Sequence, residues 1–256
     1  MKVSIITATY NSEKSIQRTI DSVAAQDYAN IEHIIIDGGS TDNTVGIIKI
    51  NNCKISSFVS ERDKGIYDAL NKGINLSSGD IIGFLNSDDV YTNSHVISRI
   101  VNCFKIKNTD LVYGNLVYQS KNEENKKTIR YWRSNVYSPG CLKYGWMPPH
   151  PTLYCKREVY EKWGLYNENF KISSDYEFIL RIFKQPTVSK AFLPTIIVKM
   201  DVGGVSNNSL KNIVHKTKED YKAIRLNKVG GILTVLFKNF RKLGQFNRFN
   251  HHKLRC

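Results

Sequence analysis

A chain of 256 residues, 41% hydrophobic and 23% charged, is long enough for one large α/β domain with an appendage, and its composition excludes collagen, a coiled coil or disorder as a description of the whole. The formal charge of +14 is unevenly spread, since residues from Leu210 onward hold 12 Lys/Arg against 2 Asp/Glu while the first 209 residues carry only +4. The basicity therefore belongs to a C-terminal tail, and either anionic lipid or nucleic acid would attract it.

The first hundred residues alternate between two periods. Val3–Ala8, Ile31–Ile36, Ile55–Val59 and Asp80–Leu85 are short apolar runs rich in β-branched residues, each ending in polar or Gly-rich punctuation. Between them Ile16, Ile20 and Val23 share one helical face, Ile66, Leu70 and Ile74 another, and Val96, Ile100 and Phe104 a third. Ser40-Thr41-Asp42 offers capping residues for a helix carrying Ile47 and Ile48. Strands apolar on both faces and alternating with helices predict a mostly parallel sheet covered on both sides, a Rossmann-like α/β fold.

The middle is less regular. Leu111–Tyr118 and Thr128–Trp132 read as strands around a charged hairpin or loop at Gln119–Lys127. Val136–Pro151 is a long loop with Trp146 and His150 in it. A strand at Thr152–Cys155, a helix at Arg157–Trp163 ended by Gly164, a helix at Ser174–Phe183 and a strand at Val188–Lys199 follow. Five scattered cysteines without a CxxC suggest neither a disulfide framework nor a zinc site. The apolar run after Lys2 is too short for a signal peptide, and no run approaches the ~18 apolar residues of a membrane span. A cytosolic protein, at most peripheral to a membrane, is expected.

In a parallel sheet, ligands sit beyond the C-terminal ends of the strands. Those ends carry Asp37, Asp63 and the run Asn86-Ser87-Asp88-Asp89. Singly each is a turn or capping residue. Gathered along one edge, their mutual repulsion calls for a divalent cation, which would in turn recruit phosphate. GxGxxG after the first strand, GxxxxGK[ST], GxSxG and HExxH are all absent, so dinucleotide, P-loop, common hydrolase and zinc-protease readings lack support.

Val-Ser-Ile-Ile-Thr-Ala-Thr-Tyr-Asn at the N-terminus, Ile-Ile-Ile-Asp-Gly-Gly-Ser-Thr-Asp-Asn-Thr, Ser-Glu-Arg-Asp-Lys-Gly-Ile-Tyr-Asp-Ala-Leu-Asn and Gly-Asp-Ile-Ile-Gly-Phe-Leu-Asn-Ser-Asp-Asp follow one another in the order of family 2 glycosyltransferases. The chain resembles the GT-A-fold members of the colanic-acid and O-antigen branch, densely over residues 1–90 and more thinly to about 205. The resemblance implies transfer of a sugar, with inversion, from a nucleotide-diphosphate donor such as a UDP-sugar to a glycan acceptor on a polyprenyl lipid carrier. It divides the chain into a GT-A domain over 1–209 (nucleotide-sugar half 1–110, acceptor half 111–209) and a basic helical tail over 210–256.

The same resemblance assigns roles residue by residue. Thr7, Ala8 and Tyr10 would line the base pocket, and Asp37 would accept a hydrogen bond from the base. Asp63 and Lys64 would lie near base and phosphates, and Asp68 and Asn71 would face the donor, with an i,i+4 pair to Lys72 as the other reading of Asp68. Asp88 would contact ribose and Asp89 would hold Mg²⁺ or Mn²⁺ on the diphosphate. Asn86 stands where the pattern often has Asp, one carboxylate fewer for the metal. Asp175, at the start of a helix in Ser-Ser-Asp-Tyr-Glu, is the expected general base, ahead of Glu177. His150 is either an acceptor or phosphate contact or a structural histidine. Trp146 is either a platform for the acceptor sugar or a core plug. Gly203-Gly204-Val205-Ser206 is a candidate lid.

Two other classes fit parts of the pattern. A sugar-phosphate nucleotidyltransferase would also use acidic strand ends, but wants a Gly-rich basic loop where Thr7–Ser12 has neither. A nucleic-acid-binding protein draws only on the net charge, without a recognisable binding module, and nucleic acid is not the expected partner. The tail itself reads as a helix in which Leu233, Leu236, Phe237, Phe240 and Leu243 share a face opposite Lys238, Arg241 and Lys242. That helix either packs on the domain or, with Phe246, Arg248, Phe249 and Lys253 beyond it, lies on an anionic membrane surface.

Overall fold

Residues 1–120, 127–201, 210–243 and 245 are described by the computed structural model. Residues 203–206 and 246–256, which hold the candidate lid and the far end of the tail, lie outside them, as do 121–126 of the hairpin.

The N-terminal half follows the apolar periodicity closely. Strands β1 (Val3–Thr9), β2 (Ile31–Asp37), β3 (Ser57–Ser60) and β4 (Ile81–Phe84) alternate with helices α1 (Ile16–Ala24), α2 (Thr44–Ile50) and α3 (Ile66–Leu76). β1 pairs in parallel with β2 and β4, and β2 with β3. β1 is buried over its whole length because its side chains feed two layers. Ile6 and Ala8 join the core under α3, and Val3 and Ile5 the core on the opposite face. Asp42 accepts the Thr44 N–H at 3.0 Å just ahead of α2, whose N-cap is Asn43 and not one of the expected Ser40-Thr41-Asp42.

The C-terminal half adds β5 (Val90–Tyr91), α4 (Val96–Lys107), β6 (Leu111–Gln119), β7 (Thr128–Trp132), β8 (Tyr154–Lys156), α5 (Arg157–Trp163), α6 (Ser174–Phe183), β9 (Lys190–Asp201), α7 (Leu210–Leu226) and α8 (Ile232–Leu243). Among the described residues the strands form one nine-stranded sheet in the order β3-β2-β1-β4-β8-β6-β9-β5, with β7 on β6. Here the sheet is mixed rather than mostly parallel. β6 and β9 run in parallel, whereas β8 is antiparallel to both β4 and β6, β5 to β9 and β7 to β6. Parallel neighbours need a crossover of a dozen or more residues, and the β6–β7 link is shorter than that. β5, only two residues long, carries too little pattern to be read from sequence.

The tail helices are part of the domain's packing. Ala223, Ile224, Val229 and Val235 are buried in the same core as α3, α5 and α6. α8 lies against the 141–144 turn, where Gly145 (φ +70°) leaves room for the Lys238 backbone; a Cβ there would come within 2.2 Å of the Lys238 nitrogen. The orientation of α8 departs from simple amphipathic packing. Val235 and Lys238 face inward, while Leu233, Leu236, Phe237 and Phe240 are exposed.

Candidate active site

Four loops leave the C-terminal ends of β1–β4, and polar ties hold them to one another. The Asn11 side chain accepts the Thr41 N–H at 2.8 Å, and the Asn11 N–H donates to Ser40 Oγ, also at 2.8 Å, joining the first two loops. Asn11 itself has φ +48°, a left-handed position that Asn tolerates. Ser12 and Ser87 join first and fourth through hydroxyls 2.8 Å apart. Gly38 lets the third loop close on the second: a Cβ on it would fall 2.4 Å from Asp63 Oδ2.

Asp37 is fully buried at the β2 end. Its Oδ2 accepts the N–H groups of Gly39 and Ser40 and the Ser60 hydroxyl (3.2, 3.0 and 2.7 Å), and its Oδ1 accepts the Ser40 hydroxyl. The carboxylate thus shapes the loop it was expected to serve, and a base would be an additional partner. Asp63 Oδ1 accepts the Gly65 N–H at 2.9 Å. Lys64 is exposed beside it, as is Tyr10 at the β1 end.

Several expected donor contacts are engaged elsewhere. Thr7 is fully buried and its hydroxyl lies 3.0 Å from His33 Nε2, inside the sheet. Ala8 is buried in the core under α3. Thr9, two residues along on the same strand face, is the better-placed hydroxyl: it pairs with Asp37 in register, and its Oγ1 is buried without a hydrogen-bond partner. Asp68 accepts the Lys64 N–H at 3.0 Å and pairs with Lys72 at 3.2 Å, the i,i+4 alternative. Asn71 is buried and ties α3 to Tyr166 and Glu168, each contact at 3.0 Å.

At the β4 end, Asp89 is fully buried. The Asn86 amide donates to its Oδ2 at 2.9 Å, and its Oδ1 has no hydrogen-bond partner. Burial, then the charge of neighbouring Asp88 and that of Asp201, push the Asp89 carboxyl well above the usual carboxylate range against the smaller pull of Asn86 and Arg18. Arg18 binds Asp201 at 2.6 Å next to this group, a contact no local motif announces. Among the described residues no three His, Cys, Asp or Glu side chains form a ready metal site. An orphaned carboxylate oxygen beside a second carboxylate fits a cation that takes its other ligands from a diphosphate and water.

Asp175 opens α6 with its side chain 18% exposed. His150 Nδ1 lies 2.9 Å from its Oδ2, and the Tyr67 hydroxyl 3.1 Å from its Oδ1 while also donating to the Ile172 carbonyl at 2.7 Å. Burial alone would raise this carboxyl. His150, then Lys238 and Lys216, hold it well below the usual carboxylate range, so it is ionised. Glu177 has a different environment: 2% exposed, it is bound to Arg181 at 2.9 Å and to the Asn227 amide at 3.2 Å. Trp146 is a core plug, 6% exposed among Tyr113, Tyr137 and Phe183, with its indole N–H on Asn135 at 2.6 Å, and offers no platform to a sugar.

Two residues of α7 complete the surroundings of Asp175. The Glu219 carboxylate accepts three successive N–H groups, from Lys171, Ile172 and Ser173, at 2.7, 2.8 and 2.9 Å. Asp220 accepts the Ser173 hydroxyl at 2.8 Å and pairs with Lys238 of α8 at 2.7 Å. Lys238 Nζ in turn lies 3.3 Å from the centroid of the Tyr176 ring.

Comparison with known proteins places this geometry. The profile of the family described as Glycosyl transferase family 2 matches residues 4–164. The chain is 30% identical over 220 residues, 84% of each sequence, to the Escherichia coli UDP-Glc:alpha-D-GlcNAc-diphosphoundecaprenol beta-1,3-glucosyltransferase WfaP. Its fold is similar to that of the S. aureus TarS fragment 1–349 in complex with UDP, with a TM-score of 0.67 at 20% identity, covering 97% of this chain and 71% of that one. The chain spans 44% of the longer TarS structure. It is also similar to the Pyrobaculum calidifontis mannosyltransferase PcManGT in complex with GDP-Man and Mn²⁺, with a TM-score of 0.65 at 16% identity, covering 93% of this chain and 69% of that one. The fold is therefore the GT-A fold expected from the sequence motifs.

Proposed function

The chain belongs to glycosyl transferase family 2 and is a glycosyltransferase, and from that premise we propose that it inverts a sugar centre while moving it from a UDP-sugar to a hydroxyl of a lipid-linked glycan in bacterial surface-polysaccharide assembly. The nucleotide choice draws on the UDP bound by TarS, and the acceptor class on the diphosphoundecaprenol substrate in the name of WfaP.

The observation that carries the mechanism is the contrast between two carboxylates two residues apart, and so on opposite sides of α6. Asp175 is ionised and partly open, while Glu177 is sealed under Arg181 and Asn227. Asp175 takes the proton of the acceptor hydroxyl as that oxygen attacks the anomeric carbon. His150 and Tyr67 fix the carboxylate's orientation, and Glu219 fixes the turn from which it projects. Thr9, Asp37, Asp63 and Tyr10 bound the space for base and ribose. Asp88 and Asp89 would hold Mg²⁺ or Mn²⁺, which when bound offsets the charge growing on the departing nucleoside diphosphate.

Among the described residues no helix is long and apolar enough to cross a membrane. The exposed apolar face of α8 and the basic tail instead suit attachment to the anionic surface of the membrane on its cytoplasmic side. The direct test is a screen of UDP-, GDP- and dTDP-sugars with the purified full chain, with Mn²⁺ or EDTA, and with a lipid-diphosphate-linked sugar as acceptor. Transfer from a UDP-sugar that stops in Asp175→Asn is the expected result. A GDP- or dTDP-sugar preference would overturn the donor, and an active Asp175→Asn the base.

A further inference from the structure

One group of charges near Asp175 is left unused by the mechanism above. Lys238 and Lys242 stand one turn apart on α8, on the side turned to α7. Lys216 and Asp220 stand one turn apart on α7, and the 2.7 Å Lys238–Asp220 pair fixes the register between the two helices. Arg130 of β7 closes the group: its Nε donates to Gln245, just beyond α8, at 2.7 Å, and its guanidinium lies 4.8 Å from the Tyr118 ring centroid. Four cations thus share a space with one nearby acid, Asp220, which Ser173 and Lys238 already engage.

Such crowding is costly unless an anion joins it. Burial, then the charges of Lys216 and Lys238, push Lys242 down to about 8. The cations lie beside the base, since Lys238 and Lys216 are among the charges that act on Asp175. On the far side of the same helix, Ile232, Leu233, Leu236 and Phe240 are exposed. The order from the site outward is therefore carboxylate, cations, apolar surface. A glycan joined through a diphosphate to a lipid has its groups in the matching order: hydroxyl, phosphates, hydrocarbon.

We propose that Lys216, Lys242 and Arg130, backed by the buried Lys238, bind the diphosphate that joins the acceptor sugar to its lipid. This rests on the reading of the protein as a transferase to lipid-linked acceptors. Docking of the diphosphate neutralises the charges that hold Asp175 down, so the carboxylate becomes a better base when an acceptor is in place.

The test keeps binding apart from transfer. With the donor site filled by UDP and Mn²⁺, farnesyl diphosphate is titrated into the full chain and followed by tryptophan fluorescence, with farnesol as the uncharged control. Lys242→Ala and Lys216→Ala are each expected to weaken farnesyl diphosphate at least tenfold, Lys242→Arg to restore it, and UDP affinity to stay constant. Removing a charge from a like-charged, half-buried group leaves the fold intact, which a thermal melt checks. Unchanged farnesyl diphosphate affinity in both alanine variants would overturn the proposal, and so would a parallel loss of UDP affinity, which would give the cluster to the donor. If farnesyl diphosphate binds as expected while wild type transfers no sugar to any lipid-diphosphate acceptor, the cluster stands and the acceptor assignment falls.

Discussion

His150 and Asp175 meet at 2.9 Å, Nδ1 to Oδ2, one from the end of a long loop and the other from the first turn of α6. The contact joins two residues that the sequence offers only separately, and turns an ambiguous histidine into a neighbour of the proposed base. It makes a pH prediction with a definite sign. The Asp175 carboxyl is depressed in the fold, so its proton-accepting form exists at all pH above that low value and is lost only as pH falls through it. The stability it contributes is likewise present above its unfolded pKa of ~3.9 and lost in the acid. His150→Ala removes the largest of the lowering influences. The acid limb of kcat/KM should move to higher pH, measured between pH ~4 and ~8 across the ordinary carboxylate and histidine range. A profile that keeps its acid limb in the variant would deny His150 this role.

Asp175→Asn and Glu177→Gln should fail differently. The first keeps shape and donor binding but cannot take a proton, so the transfer rate should fall by at least ~10²-fold with donor affinity little changed. The second disturbs the buried contacts with Arg181 and Asn227, so its effect should be on the thermal midpoint. A stable, inactive Glu177→Gln beside an active Asp175→Asn would reverse the assignment.

Asp89→Asn separates function from stability. Burial and the charges of Asp88 and Asp201 all oppose ionisation of Asp89, and the amide is neutral at nearly constant volume. The apo variant should melt no lower than wild type, while Mn²⁺ with UDP should raise the midpoint of wild type and not of Asp89→Asn. An equal Mn²⁺-dependent rise in both would place the cation elsewhere.

Glu219→Ala tests the brace beneath the base. It strands three N–H groups at the entrance to α6, and since one unsatisfied buried donor costs about 1–3 kcal/mol, a loss of at least about 2 kcal/mol in denaturant unfolding is expected. Because Asp175 projects from that turn, kcat should fall more than donor affinity. A variant with wild-type stability would show that water replaces the carboxylate.

These residues mark the limit of what local pattern reveals. β1 to β4 and α1 to α4 are legible because apolar runs and helical stripes end at Gly, Asn, Asp or Ser, and the acidic strand ends follow from that alternation. Asp37 and Asp89 stand at or just beyond such strand ends. An alternating strand puts Thr7 and Thr9 on one face, and only the register with Asp37 shows that Thr9 stands at the strand end. Glu219, Asp220 and Lys238 carry no motif at all. Their partners just ahead of α6 and, for Lys238, Tyr176 within it lie dozens of residues away, and a Lys on a basic helix looks like a solvated charge until the helix is docked. Trp146 admits two readings from sequence because burial, which decides between them, is a tertiary property.

The same docking changes how the tail should be tested. Deleting residues 230–256 would remove Val235 from the core and Lys238 from Asp220, so loss of membrane binding in a truncated chain would be confounded by damage near Asp175. Substitutions on the outer face avoid this. Leu236 and Phe240 are 46% and 66% exposed and contribute little to the fold. Full burial of one such side chain in an apolar phase is worth roughly 1.5–3 kcal/mol, and interfacial contact captures part of it. Leu236→Ser with Phe240→Ser should therefore weaken co-sedimentation with anionic vesicles at least tenfold, leaving the melting temperature and transfer to a soluble acceptor near those of wild type. Binding by wild type should also fall with added salt, because the basic tail supplies the rest of the attraction. Undiminished vesicle binding by the double variant, or equal binding of wild type to neutral and anionic vesicles, would leave the outer face of α8 without a membrane role.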